Sequence, residues 1–427
     1  MSVVWTRPSR ESGISIKRSV TSQLVPSRSG AVPGVVDGVT RTARLAPVLV
    51  LAAVIVLLSL AARLVLFPFE SRDYQAFVAQ WYEFISANGG FSALRYQFAD
   101  YNVPYLYLLA ILSYLPVPAL VGVKAITVLF DVVLAYYVYR LVALKHPRGW
   151  WPFLAAVTVS VLPTIVTNGA LWAQCDVIYA AFGLGGVYYA VRSRPWLACV
   201  FFGLALAFKL QIVFLFPLLL VLVLLRKVPW PGLLVVPGVV LLLDGPALLA
   251  GASPAQLLSV YTNQAGAYTQ LTLNAPNAYQ FLTVTTGMDL IRTAAIAFTA
   301  ALTLIVVFGV VASRTRLTVP RTVLLATLFA ILVPFFLPAM HERYFYLADV
   351  LSVVVAFYFP RRLWPVPLLV QFASFLSYTP FLFGKTAVDL RWLAVAMLAA
   401  LVLVARETVA EIGSEIRRPL SPDVLQQ

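Results

Sequence analysis

Apolar stretches of membrane-crossing length recur along the whole chain, from residue 45 to residue 404. Crossing a hydrocarbon core of ~30 Å takes roughly 20 helical residues. In that medium the backbone must satisfy its own hydrogen bonds, so the runs read as helices. Hydrophobic residues make up 61% of the chain, charged residues 11%, and mean hydropathy is +0.89. Soluble domains carry about 25% charge. The fold class is all-α, a polytopic membrane protein. The net charge of +14 raises nucleic acid as a partner. The Lys and Arg residues lie in tails and short loops, as membrane orientation requires, so that class is set aside. Two cysteines, Cys175 and Cys199, are expected as free thiols, and two histidines, His146 and His341, exclude a multi-histidine metal site.

Charge sets the topology. Residues 1–44 read as a disordered basic cytoplasmic tail, too long to be the start of a cleaved signal. Seven basic residues (Arg7, Arg10, Lys17, Arg18, Arg28, Arg41, Arg44) precede a first span at 45–66. An outer loop follows at 68–120. Its 104–115 stretch is short and rich in Tyr, so it reads as a helix lying at the interface rather than a span. Further spans fall at 121–144, 151–166, 177–191, 196–208, 212–225, 232–249, 290–311, 322–337, 344–359, 364–381 and 390–404. That makes about twelve, with a second large outer loop at 251–289 and a cytoplasmic tail at 406–427. Both termini are then cytoplasmic. This arrangement puts Arg72, Asp73, Asp100, Asp176, Lys209, Glu342 and Arg343 at or near one outer face.

Charge in an apolar chain is costly and marks function. Asp73 opens the amphipathic stretch Asp73-Tyr74-Gln75-Ala76-Phe77, and is either its N-terminal cap or a general base at the bilayer lip. Trp172-Ala173-Gln174-Cys175-Asp176 follows Asn168-Gly169, which breaks the third span. Asp176 there is a cap, an acceptor contact or a support for the base, and Trp172 suits stacking on a sugar. Lys209 and Gln211 interrupt an apolar run. Lys209 either snorkels or meets a lipid phosphate. In His341-Glu342-Arg343-Tyr344, Phe345 stands where a zincin would need its second histidine. Arg343 and His341 are instead donors for phosphate, against a plain interfacial Glu–Arg pair. The uncharged amides and tyrosines of 261–280 suit a neutral carbohydrate, or an ordinary interfacial loop. Asp131 lies mid-span, two turns from Lys124, which is too far for direct contact.

These elements, in this order over residues 45–360, resemble the GT-C glycosyltransferases, membrane enzymes that use polyprenyl-phosphate sugars. The likeness is to the dolichyl-phosphate-glucose glucosyltransferases and to bacterial relatives of GPI mannosyltransferase II. The acidic base of the first outer loop is matched by Asp73. The juxtamembrane Tyr-Pro-Pro-Leu-like helix is matched by Asn102-Val103-Pro104-Tyr105-Leu106. A Trp-Gly-Gln-x-Asp-like element is matched at 172–176, Phe-Lys-x-Gln at 208–211, and His-Glu-Lys/Arg at 341–343. Arg72, where eukaryotic members often have Gly, and the single Pro104 depart from the pattern.

The resemblance implies an inverting hexosyl transfer, of glucose or mannose, on the outer face of what is expected to be a bacterial plasma membrane. Asp73 would be the base. His341, Arg343 and Lys209 would hold the donor phosphate, with Asp176, Trp172, Gln174, Gln211, Glu342 and Tyr105 as acceptor contacts or supports. No metal or other cofactor is implied. The partners would be a polyprenyl-phosphate sugar, a glycan or glycolipid acceptor and membrane lipid. A transporter or lipid flippase is the alternative, with Asp131 as its midplane group.

Overall fold

Proline marks where many of the helices begin. Val103–Leu112, Trp151–Ser160, Pro195–Phe208, Val319–Phe336 and Pro365–Ser377 each carry Pro in their first two positions. There its missing N–H costs nothing and its fixed φ suits the helix. The computed structural model describes residues 33–266, 268–283 and 286–416. The chain divides into Met1–Val50 and Leu51–Gln427. In the first unit, only the start of the Pro33–Leu66 helix is described. Residues 1–32 of the expected basic tail and the last eleven residues, 417–427, lie outside the described residues. All that follows concerns the second unit.

That unit is a multi-pass helical membrane protein. Six helices are long and apolar enough to cross a bilayer: Ala119–Lys145, Trp230–Leu249, Met288–Ala312, Val319–Phe336, Pro365–Phe383 and Leu390–Gly413. A seventh counts if the bent pair Trp151–Ser160 and Pro163–Leu171 is one span. The apolar helices Val50–Leu66, Asp176–Val191, Pro195–Phe208 and Leu210–Leu224 are shorter. Leu249, Leu290 and Phe308 are turned outward and more than 70% exposed, as lipid-facing residues are. Val319–Phe336 is the inner helix, with 72% of its apolar window buried.

Four differences from the sequence reading have physical causes. The third span breaks at residues 161–162, ahead of Pro163, and not at Asn168-Gly169. Proline cannot donate to the previous turn. The chain instead continues through a wider π-type turn, Thr167–Leu171, where a Cβ on Gly169 would come within 2.8 Å of Thr127 Oγ1. The first helix begins before residue 45, at Pro33. The last continues past 404 to Ile416, its added turns placing Glu407 2.7 Å from Arg362. Asp131 is paired after all, with Arg63 of the first helix, whose Nη2 lies 3.0 Å from Oδ2. Lys124 turns elsewhere, to the carbonyls of Leu66, Phe67 and Phe69 at 3.1, 2.9 and 2.6 Å. It thereby fixes the chain just before Asp73.

The two long loops, 68–120 and 251–289, pack against the bundle. The first holds the short helices Tyr74–Val78, Ala79–Ala87, Gly90–Arg95 and Val103–Leu112. The second holds the helix Pro254–Gly266 and a two-residue strand, half of the one small sheet among the described residues. That strand, Thr272–Leu273, pairs in parallel with Met340–His341. Gln264 donates to Asp100 O and Asn102 Oδ1, both at 3.0 Å, which ties the second loop to the first.

Candidate active site

Asp73 sits in the second turn position of its helix and makes no capping bond. Ser71 does that job: the Tyr74 N–H donates to Ser71 Oγ at 3.1 Å, the usual N-cap geometry. Ser71 also donates to the Trp172 carbonyl at 2.7 Å, which fastens the two segments together. Asp73 is thereby released from a structural role. Its Oδ2 accepts from Trp172 Nε1 at 2.9 Å, Gln174 Nε2 at 2.8 Å and Arg343 Nη1 at 3.1 Å. Its Oδ1 accepts nothing from the described residues. One oxygen is anchored three ways and the other is open.

Both segments that reach Asp73 contain an alanine in the left-handed region, Ala173 at φ 63° and Ala339 at φ 60°. That conformation costs an L-residue on the order of 1–2 kcal/mol. At Ala173 it separates Trp172 and Gln174 so that both side chains point at the same carboxylate oxygen. Ala339 precedes Met340–His341, where the Ala339 N–H donates to Leu271 O at 2.9 Å and the strand pairing begins.

Asp176 opens the helix Asp176–Val191 and is fully buried. Asn168 Nδ2 donates to its Oδ2 at 2.8 Å, and Lys209 forms a salt bridge to its Oδ1. Lys209 itself lies in extended backbone between Pro195–Phe208 and Leu210–Leu215, so its side chain leaves the helices altogether. It does not snorkel: it is 5% exposed and lies 5.7 Å over the Tyr101 ring. Arg343 completes the cluster. Its Nε is 3.9 Å from Asp176 Oδ2 and its Nη1 3.9 Å from Glu342 Oε1. Burial alone would lower the guanidinium's pKa, but Asp73 and then Asp176 outweigh it and hold Arg343 above its usual value.

The neighbours of Arg343 differ from it in kind. Burial, then the charges of Arg343 and Lys209, push His341 down to about 2, so its imidazole is neutral. Its contact with Glu342, Nδ1 to Oε2 at 3.9 Å, is therefore not an ion pair. Burial pushes Glu342 up to about 7 against the pull of Arg343. The His341 ring packs between Tyr268 and Tyr344, with centroids at 4.5 and 5.2 Å.

Beside this cluster opens a mainly apolar cavity of about 260 Å³. Gln211, Phe214, Tyr268, Leu337, Met340 and Tyr344 line it, with Arg292 and Ile296 from the helix Met288–Ala312. Gln211, a candidate from the sequence, thus faces the cavity rather than the charges.

Two of the candidates are placed as supports rather than at an open face. Trp172 is fully buried, stacked on Phe381 at 5.1 Å with the Arg343 guanidinium 5.4 Å from its ring, so it has no face for a sugar. Tyr105 does not reach the cluster: it packs on Tyr101 at 5.2 Å, and Tyr101 contacts Cys175 Sγ at 3.3 Å. Ser71 was missed, although a serine three residues ahead of a helical turn's first buried position is a signal. Asn168 was read only as a break in the third span, and Tyr268 only as one of the tyrosines of the uncharged 261–280 loop.

Among the described residues no group of three His, Cys, Asp or Glu side chains converges to hold a metal ion. Comparison of the chain with protein-family models and with curated proteins finds no match. The functional reading therefore rests on the residues themselves.

Proposed function

We propose that this protein is an inverting membrane glycosyltransferase, moving a hexose from a polyprenyl-phosphate carrier to a lipid-linked or envelope glycan on the outer face. The observation that carries this reading is the 3.1 Å contact between Asp73 and Arg343, 270 residues apart. A base and a group that binds the donor phosphate must meet at one site, and this contact supports that pairing. The open Oδ1 of Asp73 is the atom that would accept the proton of an acceptor hydroxyl. The hydroxyl oxygen would attack the anomeric carbon, and the carbon–oxygen bond to phosphate would break with its electron pair leaving on the phosphate. Arg343 would stabilise that charge bidentately, with neutral His341 as a further donor. Lys209 would act through Asp176, whose carboxylate it neutralises.

The cavity supports a lipid carrier over a soluble nucleotide sugar. Its walls are mainly apolar, one side is formed by the membrane helix Met288–Ala312, and it adjoins the charged cluster through Tyr268 and Tyr344. A prenyl chain fits such walls. The twelve-span GT-C arrangement, with both termini cytoplasmic, belongs to this proposal. The short helices would complete the count.

Purified protein in nanodiscs, given polyprenyl-phosphate mannose or glucose and a glycolipid acceptor, should release polyprenyl phosphate, read by mass spectrometry. No release with either donor, in protein whose fold is intact, would sink the reading. Orientation is separately testable by cysteine labelling: position 270 should react from outside and position 314 from inside.

A further inference from the structure

One guanidinium here serves three carboxylates. Arg343 lies 3.1 Å from Asp73, and 3.9 Å from both Asp176 and Glu342. Asp176 also holds Lys209. With Asp73 and Asp176 ionised, Arg343 and Lys209 balance them, and neutral His341 adds nothing. The net charge of the cluster is then set by Glu342. Protonated, it leaves the cluster neutral; ionised, it leaves one excess negative charge against any incoming anion.

Glu342 is built differently from its two neighbours. Asp73 has three donors, and Asp176 has Asn168 and Lys209. Glu342 is 1% exposed, and neither of its oxygens accepts a hydrogen bond from the described residues. The groups facing it are Arg343 and His341 on its own segment, Asp73 after the first helix, and Asp176 at the start of Asp176–Val191. The phenols of Tyr268 and Tyr378 face it as well. Two of these are carboxylates, each already paired with a cation. A buried carboxyl without donors, among other carboxylates, favours its neutral form.

We propose that Glu342 couples anion binding at Arg343 to a proton: the site takes the phosphate of a lipid carrier together with one proton on Glu342, and ionised Glu342 shuts it out. The identity of the anion rests on the glycosyltransferase reading; the coupling rests on the cluster's geometry. A phosphate beside Arg343 adds a like charge next to Glu342 and raises its proton affinity further. Linkage then fixes the sign. Below the free site's value of about 7, Glu342 is already protonated and affinity is flat. Above it, each binding event must take up a proton, and affinity falls as pH rises. His341, held down to about 2, contributes no step in this range.

The probe is a polyprenyl-phosphate sugar, whose phosphodiester lacks the second ionisation near 6 that a monoester carries. Its binding to the full chain in nanodiscs would be followed from roughly pH 6 to 9 by calorimetry in buffers of different ionisation heat. Wild type should bind with constant affinity in acid and weaken by about tenfold per unit above neutrality, with uptake of about one proton near pH 8. Glu342→Gln should keep the acid-limit affinity across the range, with no uptake. A flat wild-type profile, or an unchanged slope in Glu342→Gln, overturns the proposal. If Glu342→Gln does not fold, the wild-type proton count decides alone, and a count of zero overturns it. Absence of binding at every pH overturns the donor reading along with it, whereas binding without proton uptake overturns only the role of Glu342.

Discussion

Arg63 and Arg343 both meet buried carboxylates, and they do so in opposite ways. Arg63 faces one partner: its Nε and Nη2 both donate to Asp131 Oδ2, at 3.3 and 3.0 Å, and Nη2 also reaches Ser160 O at 2.8 Å. Ser59 takes another of its N–H groups. Arg343 is divided among three carboxylates, two of them at 3.9 Å, and its buried Nε makes no hydrogen bond among the described residues. The first contact is closed on the arginine's side, one charge to one charge inside the apolar bundle, and only Asp131 Oδ1 is left without a donor. The second is an unfinished coordination sphere beside a cavity. A guanidinium whose nitrogens are all engaged holds helices together, while spare donor capacity beside a cavity leaves something for a ligand to do.

The sharpest way to break this contrast is Asp73→Asn. The amide keeps the size but cannot take a proton, so turnover should fall about 10²–10⁴-fold. Thermal stability should stay near wild type, because Ser71 rather than Asp73 caps the helix. Near-normal turnover in the purified variant would return Asp73 to a merely structural role. The converse holds at the closed pair. Arg63→Ala strands a buried carboxylate and should cost about 3–5 kcal/mol of stability. The double change Arg63→Met with Asp131→Leu should restore most of it, with turnover per folded molecule unchanged. Loss of turnover in a stable double variant would make the pair functional.

Much of this contrast was legible in the sequence, though unevenly. Asp73, Asp176, Lys209, Glu342 and Arg343 stood out because charge is rare in so apolar a chain, and charge asymmetry placed them on one face. The structure brings these five into one cluster. Arg63 was overlooked because it lies within an apolar run and reads as a helix-end charge; its partner is 68 residues away, which no local pattern reveals. Which of its two readings Trp172 takes, sugar contact or support, was not legible for a related reason. An indole near polar groups looks available for a sugar, but whether its faces are free depends on Phe381, more than 200 residues on. Most helix positions were legible, though the third span breaks earlier than read, the first and last helices run further, and Pro254–Gly266 was read as loop. Crossing number was not legible, because several apolar helices are too short to decide by length.

A smaller effect tests how the open site shares its charges. Arg343→Lys keeps the charge but loses the planar fork, and should weaken donor binding by about tenfold, with Arg343→Ala worse. Lys209→Ala should also weaken it, since it leaves Asp176 for Arg343 to neutralise alone. Because Arg343 and Lys209 meet on the same Asp176 carboxylate, the double variant should lose less than the sum of the singles. Strict additivity, measured as donor affinity in folded variants, would mean the two act on separate ligand groups.

The smallest expected effect concerns the backbone that aims two donors at Asp73. Ala173 holds φ 63° between Trp172 and Gln174, a position taken by Gly in the motif the chain resembles. Ala173→Gly relieves that strain, on the order of 1 kcal/mol, but also loosens the unfolded chain by about 0.4–1 kcal/mol. The two nearly cancel, so the thermal midpoint should rise slightly or not at all, and turnover should stay within about twofold. Ala173→Val asks a β-branched residue to hold the same conformation, which it resists strongly. The turn should then relax toward negative φ, moving Trp172 Nε1 and Gln174 Nε2 off Asp73 Oδ2. Turnover should fall further than stability. If Val at 173 leaves turnover intact, or Gly there costs stability outright, the strained turn is not what orients the carboxylate. The anchoring of Asp73 would then rest on Arg343 alone, and the site would be closer to the closed pair at Arg63 than its geometry suggests.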